Sequence, residues 1–269
     1  MPESLRLPSN QSTEIALAFG FKAPRMMLRL FELVAGADRS VDGGAGSLFQ
    51  LCTGLTLCDQ QAAHRGTPPE LFIFGSTGVD DVNVGCVIHD QLLGQEFALA
   101  AYNPSEARAD YVGLDFRRGL GTLLGVAWRE LNRERHPQLP RVRTIIEELG
   151  FDVDQLPGEA PLNLRPRTPP GWRFAMTADG LGVFAPEATF EPDQDFECDP
   201  EFFDADLIAE ALDDARGALK SGHAGTALWH ARNAHALLAD EGLPPDWVAL
   251  LISAYRALGR DFLAERVKK

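Results

Sequence analysis

Residues 67–90, TPPELFIFGSTGVDDVNVGCVIHD, place two apolar runs on either side of a turn rich in glycine and aspartate. Leu71 to Phe74 and Val84 to His89 have the length and the β-branched and aromatic content of strands, and Gly75, Gly78 and Asp80 supply turn chemistry between them. The stretch admits a second reading, because adjacent Asp80 and Asp81, with His89 beyond them, are residue types that hold a metal or orient a substrate. Alternation along VNVGCVIH sets Cys86 and Ile88 on one face of a strand and Val87 and His89 on the other.

Working outward, PRMMLRLFELVA (residues 24–35) carries Met27, Phe31 and Val34 at helical spacing, a proline suited to the first turn and Gly36 as a stop. Downstream, strands are predicted over Phe97 to Tyr102 and Tyr111 to Phe116, followed by a helix from about Gly121 to Arg135 that covers the sheet. GWRFAMTADGLGVFAP reads as a hairpin, with a strand from Trp172 to Thr177, an Asp179-Gly180 turn and a strand from Leu181 to Ala185. The preceding LRPRTPPG is a stiff, proline-rich connection.

Composition narrows the function classes. The 269 residues are 45% hydrophobic, enough for a sizeable core, and carry a formal net charge of −14, which opposes binding to nucleic acid phosphates or an anionic membrane. No stretch approaches a membrane span, and MPESLRLPSN has no basic region followed by an apolar one, so a cytoplasmic location is expected. The cysteines Cys52, Cys58, Cys86 and Cys198 form no disulfide framework and no zinc spacing. One basic zone interrupts the acidic chain, with Arg117, Arg118, Arg129, Arg133, Arg135, Arg141 and Arg143; it reads as a solvated helix face, with docking of an acidic partner as the sharper alternative.

From Glu187 to Asp214 there are twelve acids and no lysine or arginine. Residues 187–203 have prolines and no clean period, and read as an exposed acidic linker or strap. Asp193, Asp195, Glu197, Asp199, Glu201 and Asp204 fall at calcium-loop spacing, yet Cys198 stands where the sharp turn needs glycine and Asp204 where a bidentate glutamate is usual. Residues 204–269 turn helical: Leu207, Ile208, Ala211, Leu212, Ala215 and Leu219 form one face stopped at Gly222, and Ala227, Leu228, Ala231, Ala234 and Leu238 form the next, stopped near Gly242. A third helix starts around Pro245 and stops at Gly259. These are similar to tetratricopeptide helical pairs, at a period closer to 37 than 34 residues, with Trp229 and Tyr255 as the large aromatics. So few repeats must rest on the preceding domain or on another chain.

No G-x-S-x-G, H-E-x-x-H, P-loop or dinucleotide glycine pattern follows a strand. His230 and His235 are five apart, which does not align two ligands on one helix face, so these imidazoles and His223 are expected to face solvent or a partner. Neither a catalytic residue, a metal nor a cofactor is assigned.

Read whole, residues 67–90 together with FALAAYNP (97–104) and APRMMLRLFELVAG (23–36) resemble the SUKH superfamily, in which a proline-led strand ending in Phe-Gly precedes a Gly-Asp turn. The chain departs from that pattern at Asp81, where glycine is common, and at Val84, where an aromatic is common; its helical end is no part of it. The resemblance implies an α+β class, a mixed sheet with flanking helices over residues 1–186; the strap over 187–203 and a small all-α segment of helical hairpins over 204–269 follow from the chain's own charge and spacing. It also implies a non-enzymatic binding module: in bacteria an immunity protein that neutralises a toxin, in fungal relatives a regulator of cell-wall assembly. Asp81 and His89 then lie near a rim where a protein partner docks, a basic toxin domain being the expected one, and Asp80, Tyr102 and Trp172 complete the candidate binding set. Two alternatives stand beside it: a regulatory scaffold holding peptides on its helical end, and a metal-assisted hydrolase using Asp80, Asp81 and His89.

Overall fold

The computed structural model describes residues 24–38, 48–57, 66–78, 82–90, 97–160, 164–192, 194, 196, 205–239 and 241–268. The class is α+β: a five-stranded sheet and a separate hairpin, set among helices. Helix α1 (Arg25–Asp38) buries Met27, Leu30, Phe31 and Val34, the stripe its spacing predicts. A short helix, α2 (Leu48–Thr53), follows; Phe49 stacks on Phe31 at 5.6 Å and Cys52 is buried as a free thiol.

The sheet is a meander in the order β1 (Thr56–Leu57), β2 (Leu71–Ser76), β3 (Asn83–Val87), β4 (Ala98–Asn103) and β5 (Arg108–Gly113). Every pairing is antiparallel, where a mixed sheet was expected. The links from β2 to β3, from β3 to β4 and from β4 to β5 are too short for the crossover that a parallel pair needs. The expected strand over Tyr111 to Phe116 lies earlier, because Asp115 caps helix α3 (Phe116–Glu134) by accepting the amide of Arg118 at 2.7 Å. Glycines at 119, 121 and 125 weaken that helix as a local signal, yet they let it lie close to Leu99, Phe151 and Pro157.

Residues of β2 and β3 are buried almost without alternation. Phe72, Phe74, Val84, Cys86, Leu99 and Val112 join one core cluster with residues of α1, α2, α3 and α4 (Leu139–Glu148). On the opposite face Leu71, Ile73, Val87, Ala100, Tyr102, Ala109 and Tyr111 form a second cluster with Leu181. Covering both faces of an antiparallel sheet explains why its central strands read as unbroken apolar runs.

The hairpin is β6 (Trp172–Ala175) and β7 (Val183–Pro186), shorter than the sequence suggests. Its loop is wide because side chains hold it: Thr177 Oγ1 donates to Asp179 Oδ1 at 2.6 Å and accepts from Gly182 N at 2.8 Å, while Leu181 N donates to Asp179 Oδ1 at 3.1 Å. Gly180 and Gly182 take φ of 81° and 72°, which glycine adopts without strain. The loop also closes the sheet edge, since Ala109 N donates to Asp179 O at 2.7 Å.

Helices α5 (Ala205–Lys220), α6 (Ala224–Leu237), α7 (Pro245–Ala257) and α8 (Asp261–Val267) stack in chain order. Helix α6 rests on β7 and on the 3₁₀ turn Glu187–Thr189, and α8 reaches β2, where Phe262 stacks on Phe72 at 6.4 Å. Among the described residues no helix is long and apolar enough to cross a membrane.

A methyl group at position 125 would collide with the Pro157 carbonyl. Gly125→Ala is therefore expected to destabilise the fold by about 2 kcal/mol, seen as a lower urea midpoint at unchanged slope.

Candidate functional site

Of the predicted site residues, Tyr102, His89 and Trp172 are described, and the rings of His89 and Trp172 both lie against Phe184. Asp80 and Asp81 lie outside the described residues. Tyr102, in β4, is buried, and its hydroxyl donates to the Gly66 carbonyl at 2.8 Å, which fixes the chain entering β2. Trp172 opens β6 half-buried, with its ring stacked on Phe184 at 5.1 Å.

His89 does not sit free at a rim. Its Nε2 lies 3.1 Å from the Tyr111 hydroxyl, which itself donates to Leu181 O at 2.8 Å. The shared hydroxyl proton is thus committed to Leu181, so Nε2 carries the imidazole proton and Nδ1 is the bare, buried nitrogen. Burial, then the nearby Arg260 and Arg232, push the His89 pKa down to about 3. Such an imidazole is a weak base at neutral pH.

The structure instead brings together a constellation that no motif announces. Arg232, on α6, is fully buried with its Nε 3.0 Å from Glu70 Oε2 and its Nη2 donating to Asp179. Tyr255, on α7, donates to the other oxygen of Glu70 at 2.6 Å. Arg260, between α7 and α8, donates to the Phe184 carbonyl and stands 3.9 Å from Asp90, while Arg266 of α8 donates to Leu71 O at 2.7 Å and lies over the Phe72 ring. Around this core, Ala178 N donates to Asn233 Oδ1 at 2.8 Å and Trp229 Nε1 donates to Met176 O at 2.5 Å. Sheet, hairpin and helical end are thereby joined through charge-assisted bonds. These ion pairs and hydrogen bonds run between segments distant in the chain, so the arrangement registers those segments against one another.

His235 belongs to the same network. Arg232 Nη1 approaches its Nδ1 at 3.4 Å, and burial, reinforced by Arg232, lowers its pKa to about 4. His230 is likewise shifted down by burial, against the pull of Asp214 and Glu191. Against the expectation that they face solvent or a partner, His223, His230 and His235 are half-buried, because α6 lies between the hairpin, α5 and α7.

At the surface, the described part of the acidic stretch is held by aromatic anchors. Phe190 and Phe196 are buried, edge-on to each other at 5.1 Å, with Phe196 edge-on to Trp229 at 5.4 Å and the Arg173 guanidinium over Phe196 at 4.7 Å. Glu191 N donates to Thr226 Oγ1 at 2.9 Å, and the Glu191 carboxylate lies 3.6 Å from His223. Glu187 and Pro192 beside these anchors are exposed. The acids at 193, 195, 197, 199, 201 and 204, with the calcium spacing they form, lie outside the described residues. Among the described residues no group of three or more His, Cys, Asp or Glu is placed to hold a metal.

The arginine zone is a solvated face. Arg118 pairs with Asp115, Arg129 with Glu159, Arg133 with Glu130 and Arg143 with Glu147, all at exposed positions, and Arg117 donates to Gly150 O while lying over Phe151. Exposed pairs of this kind contribute little to stability.

A comparison with protein-family models finds no match, and neither does one with curated proteins.

Removing Arg232 alone leaves two buried carboxylates facing each other. Arg232→Met is expected to cost about 3–5 kcal/mol in chemical denaturation, and adding Glu70→Gln and Asp179→Asn to recover part of the loss. The two half-buried imidazoles, His89 and His235, set a pH dependence. Their folded-state pKa values lie below 6.5, so the unfolded chain binds more protons and stability falls as the pH drops from 6.5 toward 4. The urea midpoint at pH 5 is expected to lie below that at pH 7.5, with a smaller gap in His235→Gln.

Proposed function

We propose that this chain is a non-enzymatic, cytoplasmic protein-binding module that docks a basic protein through its acidic surface, and that its partner is a toxin domain which it neutralises. The observation that carries the reading is the anchoring of the acid-rich stretch. Phe190 and Phe196 are locked against Trp229 and Arg173, so that exposed Glu187 and half-exposed Glu191 are offered on a fixed backbone. Holding a charged surface in place before encounter lowers the ordering cost of binding, and its negative field steers a basic partner. The SUKH resemblance of residues 67–90 supplies the biological class. Many nucleases are basic because their substrates are acidic, and an acidic inhibitor matches that charge.

The scaffold alternative has less support: α6, which would line a peptide groove, is buried on the hairpin and on its neighbouring helices. The hydrolase alternative needs His89 as a ligand or base, and His89 is engaged with Tyr111.

Coexpression with a toxin encoded beside this chain should restore growth, and the purified pair should associate more slowly as salt rises. Glu187→Lys with Glu191→Lys should slow association several-fold while leaving the melting temperature unchanged within a degree or two, because both side chains are at least partly exposed. Growth that stays arrested beside every neighbouring toxin would rule this reading out.

A further inference from the structure

The stretch Leu164 to Pro170, LRPRTPP, takes no part in the recognition proposed above. Pro166, Pro169 and Pro170 fix their own φ near −65°, and each proline holds the residue before it in the extended region. Residues 164–169 accordingly belong to no helix, strand or turn. Both ends are tied down. Leu164 packs against the cluster of Leu71, Ile73, Tyr102 and Tyr111. At the other end Trp172 N donates to Pro169 O at 3.0 Å, and Gly171, with φ of 78°, turns the chain into β6. Between these ties Arg165, Arg167, Thr168, Pro169 and Pro170 are exposed. Among the described residues neither arginine has a hydrogen-bonded or ionic partner, in contrast to the paired arginines of α3 and α4.

We propose that residues 165–170 are a docking strip for a protein domain that reads left-handed extended, proline-rich segments through a groove lined with aromatic rings and flanked by carboxylates. The strip has three attributes this recognition mode uses: Pro169 and Pro170 presented to solvent, a backbone that its prolines restrict toward the extended region, and unpaired cations alongside. A small anion fits it poorly. With three residues per turn, Arg165 and Arg167 project about 120° apart around the axis, so they do not converge on one phosphate, whereas a groove has walls on both sides. Because the ends are fixed, binding orders little further chain.

The test titrates the full-length protein with a panel of purified WW and SH3 domains and follows its amide and indole NMR signals. At least one domain is expected to shift the signals of residues 165–170 and the Trp172 indole. Pro169→Ala with Pro170→Ala should weaken that binding about tenfold or more, as should Arg165→Glu with Arg167→Glu. Glu187→Lys with Glu191→Lys should leave it unchanged, which separates this strip from the acidic surface. Signals distant from the strip serve as the check that each variant is folded. The proposal is overturned if no domain perturbs the strip at about 1 mM, or if binding survives both double substitutions.

Discussion

Arg232 lies fully buried between Glu70 and Asp179, and the positions of three otherwise separate parts of the chain follow from it. Glu70 immediately precedes β2, Asp179 forms the hairpin loop and Arg232 sits in the middle of α6. A buried guanidinium needs its charge and its donors answered, and only one relative placement of sheet, hairpin and helix supplies two carboxylates to it. Tyr255 then completes Glu70, and Arg260 and Arg266 bind main-chain carbonyls of β7 and β2. Apolar contact alone would hold these segments together in several registers; directional ionic contact selects one. Asp179 has a double duty, since the oxygen that takes the Thr177 hydroxyl and the Leu181 amide shapes the loop while its partner oxygen meets Arg232.

The elements legible in the sequence are those whose signal is local. Helix α1 has a single apolar stripe, the helices after residue 204 have glycine stops at 222, 242 and 259, and the runs around Phe72 and Cys86 contain strand formers bounded by turn residues. What escaped depends on partners distant in sequence. Helix α2 is six residues long and is held by Phe31 and the sheet. Helix α3 begins through glycines whose use is the approach of Leu99 and Phe151, a tertiary reason that outweighs poor helix propensity. The hairpin was recognisable, but its loop width was not, because Thr177 and Asp179 side chains set it.

The candidate residues show the same division. Asp80, Asp81 and His89 attracted attention because glycine, aspartate and histidine are both turn formers and ligands, and sequence separates these roles poorly. His89 resolves into a structural group through Tyr111, 22 residues away. The ionic network had one faint signal: between Ala224 and Leu238, Arg232 is the sole lysine, arginine or acid in an otherwise small and apolar helix. A lone charge in such a helix is seldom left without an internal counter-ion. Its counter-ions, at positions 70 and 179, have no sequence relation to it.

The same network bears on the charge that the surface presents. Among the described residues the fully buried charged groups are Glu70, Asp179, Arg232 and Arg260, two of each sign, so the interior takes nothing from the formal excess of −14. Arg173 and Arg266 are half-buried over the rings of Phe196 and Phe72. Arg118, Arg129 and Arg133 of α3 and Arg143 of α4 are matched by neighbouring acids. The excess is therefore carried chiefly by the stretch from Glu187 to Asp214, where no cation interrupts twelve acids, and its described part is the part fastened by Phe190 and Phe196. A field concentrated on one stretch of the chain acts over about a Debye length, near 10 Å, and gives an approaching basic surface a direction as well as an attraction.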